Sequence, residues 1–115
     1  LFTAADPEQA AAAASMGAPV VEFHTGALCD AWRDQEDYLF ESELNRLQAA
    51  AAQADELGIE VHAGHGIDYD TVPFIAKLPQ VRELNIGHFL IGEAIFTGLE
   101  AAIQRMRGLM DAARA

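Results

Sequence analysis

Three short segments of the chain each carry a histidine near their end, and this histidine stands beside or near a glycine. They are VVEFHTG at residues 20–26, VHAGHG at residues 61–66 and ELNIGH at residues 83–88. A histidine can give or take a proton near neutral pH, and a glycine lets backbone N–H groups come close to an anion. These residue types predict acid–base chemistry beside a site that binds phosphate.

One carboxylate stands within the first of these segments. Glu22 lies between Val21 and Phe23 in a β-rich run, and side chains alternate along a strand, so Glu22 shares a face with His24. If the apolar neighbours face helices, Glu22 points into a crevice, where an unpaired carboxylate is costly. Glu22 is therefore a functional group or half of a structural salt bridge, and its setting favours function.

Glycines in the last two segments favour phosphate binding. Gly64 and Gly66 flank His65, and Gly87 with His88 stands directly before a long helical pattern. The N-terminus of a helix carries unpaired N–H groups and attracts negative charge. Two such turns in consecutive units predict a phosphate cup, with tight strand-to-helix turns as the alternative.

The spacing of His62 and His65 argues against a metal site. Residues three apart in a regular strand point to opposite faces, so the two imidazoles cannot bind one ion without a bend. A hydrogen-bonded structural role is the alternative for either histidine. Cys29 is the only cysteine, which excludes an internal disulfide and favours a reducing, cytoplasmic setting.

Composition predicts one globular domain over residues 1–115, because 51% of the residues are hydrophobic. The net charge of −11 arises from 18 acidic and 7 basic side chains, and such a field repels nucleic acid and anionic membranes. It leaves small phosphorylated ligands open, because backbone N–H groups can hold them. The first residues, LFTAADPEQ, lack an initiator Met and signal-peptide features and read like the end of a strand, so we expect part of a longer chain.

The first helix is predicted from its capping residues. Asp6 is expected to be the N-cap, Pro7 occupies the first helical position and Gln9 completes a capping-box pattern. Gly17 is expected to end this helix. The Val20–Phe23 run then predicts a buried strand.

The rest of the chain continues to alternate between helix and strand. Residues 27–35 predict a polar loop or a ragged helix start, and a long helix is expected over about 36–57. Strands are predicted in IEVHAGHG and VRELNIGH, with a short helix between them that starts at Asp70 as N-cap and runs through Lys77. The final helix is expected from about Leu90 to Ala113, with one apolar face formed by Ile91, Ile95, Leu99, Ala102, Ile103, Met106 and Leu109 or Met110.

This order of elements predicts parallel βαβ units and an α/β fold. In such folds the carboxyl ends of the strands open on one edge, where active sites are built. We therefore expect His24, His65 and His88 to approach one another, although they are distant in sequence.

At this level of detail the sequence resembles a known family. VVEFHTGALCDA, VHAGHGIDYDTV and ELNIGHFLIGEAIFTGLEAAIQRM are together similar to the pyridoxine 5'-phosphate synthases, the ring-closing enzymes of deoxyxylulose-dependent vitamin B6 biosynthesis. The resemblance implies the C-terminal half of a TIM barrel, from the end of strand five through strand eight to the last helix. It covers nearly the whole chain.

The resemblance also implies a reaction and residue roles. The family condenses 3-amino-2-oxopropyl phosphate with 1-deoxy-D-xylulose 5-phosphate to give pyridoxine 5'-phosphate, phosphate and water, without a metal or organic cofactor, in symmetric assemblies of several barrels. By its motifs, His65 corresponds to the proton donor and Glu22 to the residue that stabilises the transition state. Gly66, Gly87 and His88 correspond to positions that bind the aminoacetone phosphate.

The sequence departs from the family pattern in two ways. His62 stands where the family commonly has asparagine, so it inherits no catalytic role. The family's other acid–base histidine and glutamate, and its phosphate-binding arginines, belong to the N-terminal half of the barrel. We therefore expect the isolated chain to be inactive and to expose strand edges and apolar helix faces.

Two other functions stay open on the sequence alone. One is a different phosphate-binding barrel, such as a sugar-phosphate isomerase or an aldolase, although the sole lysine, Lys77, falls in a predicted helix. The other is a small α/β binding domain without catalysis.

Overall fold

Four parallel strands and six helices make up the computed structural model, which describes residues 1–115. In chain order they are β1 Phe2–Thr3, α1 Pro7–Ser15, β2 Val20–His24, α2 Gly26–Arg33, α3 Asp37–Glu56, β3 Glu60–Gly64, α4 Val72–Ala76, β4 Val81–Asn85, α5 His88–Thr97 and α6 Leu99–Ala113. The sheet order is β1-β2-β3-β4, and every neighbouring pair is parallel. The predicted α/β fold with parallel βαβ units is confirmed.

The chain begins in a strand, as the first residues predicted. Phe2 pairs with Glu22 and Thr3 with Phe23, and the amino group of Leu1 donates to the carbonyl oxygen of Val20 at 3.2 Å. Because β1 has a partner on one side only, it forms one edge of the sheet. β4 forms the other edge.

The two faces of the sheet differ as the alternation of residues predicts. Val21 and Phe23 on β2 are fully buried, as are Val61 and Ala63 on β3. These side chains join a core that includes the alanine-rich face of α3, formed by Ala50, Ala51 and Ala54. The opposite face carries Glu22, His24 and His62, which are only partly buried. The ionisable side chains of β2 and β3 therefore lie on one face of the sheet.

Helix α2 occupies most of the stretch predicted as a polar loop or ragged helix start, so the loop alternative was wrong. Leu28, Cys29 and Ala31 are buried along one side of the helix, and Asp30 and Arg33 remain exposed on the other. The apolar side is too short to give a periodic pattern, but it packs against the core. Tertiary burial stabilises this helix where periodicity alone gave a weak signal.

The N-cap predicted at Asp6 is confirmed, but the capping box is not. The Asp6 side chain accepts the N–H of Glu8 at 2.9 Å. The N–H of Asp6 donates to the carbonyl oxygen of Ala4, so this donor is satisfied without the side chain of Gln9. This turn therefore satisfies the N–H of Asp6, which the side chain of Gln9 would bind in a capping box.

The predicted N-cap at Asp70 was wrong. The helix α4 begins at Val72, and the carboxylate of Asp68 accepts the N–H groups of Asp70 and Thr71 at 3.0 and 2.9 Å. An aspartate can bond the backbone two residues ahead and fix a turn. Asp68 does this, and the helix therefore starts later than its sequence pattern suggested.

The single final helix predicted over Leu90–Ala113 was also wrong, because the chain breaks at Gly98. This residue has φ 88° and ψ 148°, a conformation that is open essentially only to glycine. The break separates the predicted apolar face. Ala102 and Met106 are buried in α6, whereas Ile95 in α5 is 79% exposed.

Five large apolar side chains of these two helices are exposed, and we call this set the α5–α6 face. It consists of Ile91, Ile95, Phe96, Leu99 and Ile103. None of the helices has the length and apolar character needed to cross a membrane.

Candidate active site

A cavity of about 590 Å³ opens at the carboxyl ends of the strands. Its lining includes all five residues singled out as candidate site residues from the sequence, namely Glu22, His65, Gly66, Gly87 and His88. They come from β2 and from the segments that follow β3 and β4. The parallel sheet brings them together because every strand ends on the same edge.

Glu22 is held by an amide rather than by a cation. Its Oε1 accepts a hydrogen bond from Nδ2 of Asn85 at 2.6 Å, although Glu22 lies on β2 and Asn85 on β4. The carboxylate passes over Gly64 of the intervening strand, where an added Cβ would lie 2.7 Å from Oε2. Glu22 forms no salt bridge within this chain, and Gly64 provides the space that the carboxylate occupies.

His65 is exposed in the cavity and has an unusual backbone. Its φ of 88° is strained for a residue with a side chain. The buried Thr25 supports this turn, since its hydroxyl lies 2.7 Å from the carbonyl oxygen of His65 and 2.9 Å from that of Gly64. Strain that is held by buried contacts is a frequent feature of functional sites.

The imidazole of His65 stacks on that of His24. The ring centroids are 4.3 Å apart, with 27° between the planes. The Nδ1 of His24 accepts the N–H of Gly26 at 3.1 Å, which leaves its ring proton on Nε2 when His24 is neutral. An added Cβ at Gly26 would lie 2.5 Å from the ring of His24 and 2.8 Å from that of His65. His24 thus packs behind the candidate proton donor and does not line the cavity.

The residues of the predicted phosphate cup lie at two turns. Gly66 has φ 78° and follows His65 directly. Gly87 is the N-cap of α5, and no side chain caps this ten-residue helix. Its first N–H groups therefore lack side-chain partners, and the residues that carry them, His88 and Phe89, line the cavity.

Arg33 also lines the cavity and was missed as a site residue from the sequence. Its Nη1 donates to the carbonyl oxygen of Gly66 at 3.1 Å, and its Nη2 pairs with Asp30 at 2.6 Å. That hydrogen bond to Asp30 raises the pKa of the guanidinium, so Arg33 stays charged. The i,i+3 spacing of Asp30 and Arg33 is a helical ion-pair signal, which the loop interpretation of this segment obscured.

Cys29 lies behind this wall of the cavity and does not line it. The thiol is fully buried, and this burial raises its pKa. A raised pKa keeps the thiol protonated near neutral pH, whereas the thiolate is the reactive form.

His62 lies apart from the cavity and joins two strands. Its Nε2 is 2.6 Å from a carboxylate oxygen of Glu60, and its Nδ1 is 3.1 Å from one of Glu83. The two carboxylates bind different ring nitrogens and so do not converge on one point. The structure contains no group of three or more His, Cys, Asp or Glu side chains arranged to hold a metal ion.

Comparison with known proteins identifies the family. The model of the family described as "Pyridoxal phosphate biosynthesis protein PdxJ" matches residues 1–112. A pyridoxine 5'-phosphate synthase of Caulobacter vibrioides is 63% identical over 114 residues, which are 99% of this chain and 45% of that protein. Those of Xanthobacter autotrophicus and Roseobacter denitrificans are 61% and 58% identical over 115 residues, the whole of this chain and 45% and 46% of those proteins.

The chain therefore spans less than half the length of the curated relatives that it matches. The family match and the matched lengths of these relatives include all three motif segments, and the resemblance inferred from those segments is confirmed. The chain therefore belongs to the PdxJ family of pyridoxal phosphate biosynthesis proteins.

Proposed function

We propose that this chain supplies one half of the active site of a pyridoxine 5'-phosphate synthase. The reaction would condense 3-amino-2-oxopropyl phosphate with 1-deoxy-D-xylulose 5-phosphate to pyridoxine 5'-phosphate, phosphate and water. The observation that carries this proposal is the convergence of a carboxylate, an exposed histidine and two glycine turns on one cavity. The names of the relatives support it.

The aminoacetone phosphate would bind between Gly66 and the start of α5. The backbone N–H groups of Gly87 and His88 stand at the positive end of a helix, which attracts phosphate even in a chain of net charge −11. Arg33 fixes the carbonyl of Gly66, so this side of the cup is oriented before the ligand arrives.

His65 would donate protons to the substrate. Imine formation and the later dehydrations each need a proton moved near neutral pH, which suits an imidazole. The imidazole stacks on His24 and the backbone is held by Thr25, so the ring has a defined position in the cavity. Such positioning lowers the entropic cost of the transfer.

Glu22 would stabilise positive charge that develops on the substrate. Its Oε1 is occupied by Asn85, and the other carboxylate oxygen has no hydrogen-bond partner within the chain. A fixed carboxylate at the edge of a cavity stabilises a cationic transition state without reorganisation. The amide holds this group in place and does not neutralise it.

We further propose that β1 to β4 correspond to strands five to eight of a TIM barrel. Consecutive strand order, two open sheet edges and a site at the carboxyl ends of the strands support this arrangement. The relatives are about twice as long, which leaves room for four more strands and for the second set of acid–base residues. Symmetric assembly of whole barrels is part of the same proposal.

A Schiff-base aldolase is less compatible with the site. Lys77, the only lysine, caps the end of α4 and does not line the cavity. This chain therefore supplies no lysine amine there to form a covalent imine with a substrate.

The proposal is tested by turnover in the whole protein that carries this chain. We expect His65→Ala to lower kcat by about 100-fold or more, the usual contribution of a positioned acid or base. His62→Ala, a matched histidine outside the cavity, should change kcat by less than about threefold. Formation of pyridoxine 5'-phosphate from both substrates is the measurement.

Three results would each overturn a part of this proposal. Equal losses in the two variants would remove the distinction between His65 and His62, and turnover by the isolated chain would show that no second half-site is needed. Absence of product from the whole wild-type protein would reject the synthase function itself.

A further inference from the structure

Tyr69 lies outside the cavity lining, in the segment between β3 and α4, and contacts both helices that follow β4. Its ring packs edge-to-face against Phe89 of α5, with 4.6 Å between centroids and 79° between planes. Its hydroxyl donates to the carbonyl oxygen of Ala102 in α6 at 3.3 Å, and the guanidinium of Arg105 lies 4.2 Å from the ring centroid. One side chain therefore connects three elements.

These contacts join the two segments that carry the phosphate cup. Gly66 and Asp68, which line one side of the cavity, stand within three residues of Tyr69. Phe89 lines the other side and follows Gly87 and His88 directly. The backbone pairing of β3 and β4 ends at Gly64 and Asn85, so beyond that point the spacing of the two segments depends on side-chain contacts.

The break at Gly98 makes this arrangement possible. The chain turns there between α5 and α6, and the two helices pack against each other. Ala102 and Arg105 reach Tyr69 from α6, while Phe89 reaches it from α5. Tyr69 is thus held from two sides, and no comparable contact holds the exposed Tyr38.

We infer that Tyr69 is a positioning residue that sets the distance between Gly66 and the Gly87–His88 turn, and through it the affinity for the substrate phosphate. This inference rests on the proposed function. An anion cup loses affinity steeply when its N–H donors move apart, because hydrogen bonds weaken quickly with distance. Tyr69 does not line the cavity, so it should act on binding and not on proton transfer.

The test compares Tyr69→Leu with Tyr69→Phe in the whole protein. We expect Tyr69→Leu to raise KM for 3-amino-2-oxopropyl phosphate by about tenfold and to leave kcat within about twofold, since it removes the aromatic contacts and the hydroxyl together. Tyr69→Phe keeps the contact with Phe89 and should restore KM to within about threefold of wild type. Tyr38→Leu is the matched control and should change neither constant.

A second measurement separates this inference from the proposed function. Binding of inorganic phosphate is followed by NMR in the same whole-protein variants, where Tyr69→Leu should weaken it and Tyr69→Phe should not. If wild type binds phosphate but has no turnover, the synthase proposal fails and the effect of Tyr69 on binding still decides the inference.

Three outcomes would overturn the positioning role. They are an unchanged KM in Tyr69→Leu, a loss that falls on kcat alone, and wild-type protein that does not bind phosphate. Should Tyr69→Leu fail to fold, Arg105→Gln replaces it, because Arg105 is exposed and contacts the same ring. A rise in KM of about threefold is then expected, and no rise would overturn the inference.

Discussion

A glycine in the middle strand allows a glutamate on one side to bond an asparagine on the other. The carboxylate of Glu22 reaches Asn85 across Gly64, and any side chain at that position would occupy the same space. The sequence marked Glu22 as a carboxylate in an apolar strand, but it gave no sign that its partner would be Asn85. Partners across a sheet depend on strand order and register, which the local pattern does not contain.

At the residue scale we predict that Gly64→Ala displaces Glu22. The new methyl would stand 2.7 Å from Oε2 and 3.0 Å from the backbone oxygen of Asn85. We expect kcat of the whole protein to fall by about tenfold or more, because a fixed charge that is moved stabilises the transition state less well. Steady-state kinetics are the measurement.

Gly108→Ala is the control for this substitution. An added Cβ there meets nothing within 4 Å, and alanine in a helix is favoured over glycine by about 1 kcal/mol. It should leave kcat unchanged. Equal kcat in Gly64→Ala and wild type would contradict the crossing arrangement of Glu22.

At the scale of elements, the strands followed their sequence pattern more closely than the helices did. Strands β2 and β3 are marked by short β-rich runs with buried alternate residues. α2 was uncertain because its apolar side is only two turns long, and the last helix was wrongly joined because α5 and α6 share one apolar repeat. Apolar residues at helical spacing predict a helix, but this pattern does not reveal that a single glycine within it adopts a non-helical conformation.

Gly98→Ala tests whether the break between α5 and α6 is fixed by the backbone. The conformation at Gly98 is strained for any residue with a Cβ, although the space around it is open. We expect the free energy of unfolding of the whole protein to fall by about 1–3 kcal/mol, measured by denaturant unfolding. Gly92→Ala within α5 should instead stabilise by about 0.5–1 kcal/mol. Stabilisation by both substitutions would mean that one continuous helix is accessible.

At the scale of the whole molecule, the chain leaves apolar surface without a partner. Residues of the α5–α6 face are among its most exposed hydrophobic side chains, and Phe96 is 86% exposed. Both edges of the sheet are open as well. Surfaces of this kind normally lie in an interface, and the greater length of the relatives agrees with a partner segment in the whole protein.

We therefore predict that the isolated chain self-associates. Light scattering should detect oligomers or aggregates at micromolar concentration, and the double substitution Ile95→Ser and Phe96→Ser should reduce them, because it removes exposed apolar area. Tyr38→Ser, at a side chain that is 90% exposed but outside the α5–α6 face, should have little effect. A monodisperse isolated chain with cooperative unfolding would contradict this prediction and favour an independent domain.

The sequence by itself indicated the fold class, the family and the candidate site residues. Those features depend on residue types and spacings that are local, such as a histidine between two glycines or alternate apolar residues in a strand. Only the tertiary structure decided which groups meet. It brought Arg33 to the cavity, placed Asn85 on Glu22, stacked His24 on His65 and joined Tyr69 to Phe89. Contacts between residues distant in the chain follow from strand order, register and the turns at single glycines, and these arise from the packing of the whole molecule.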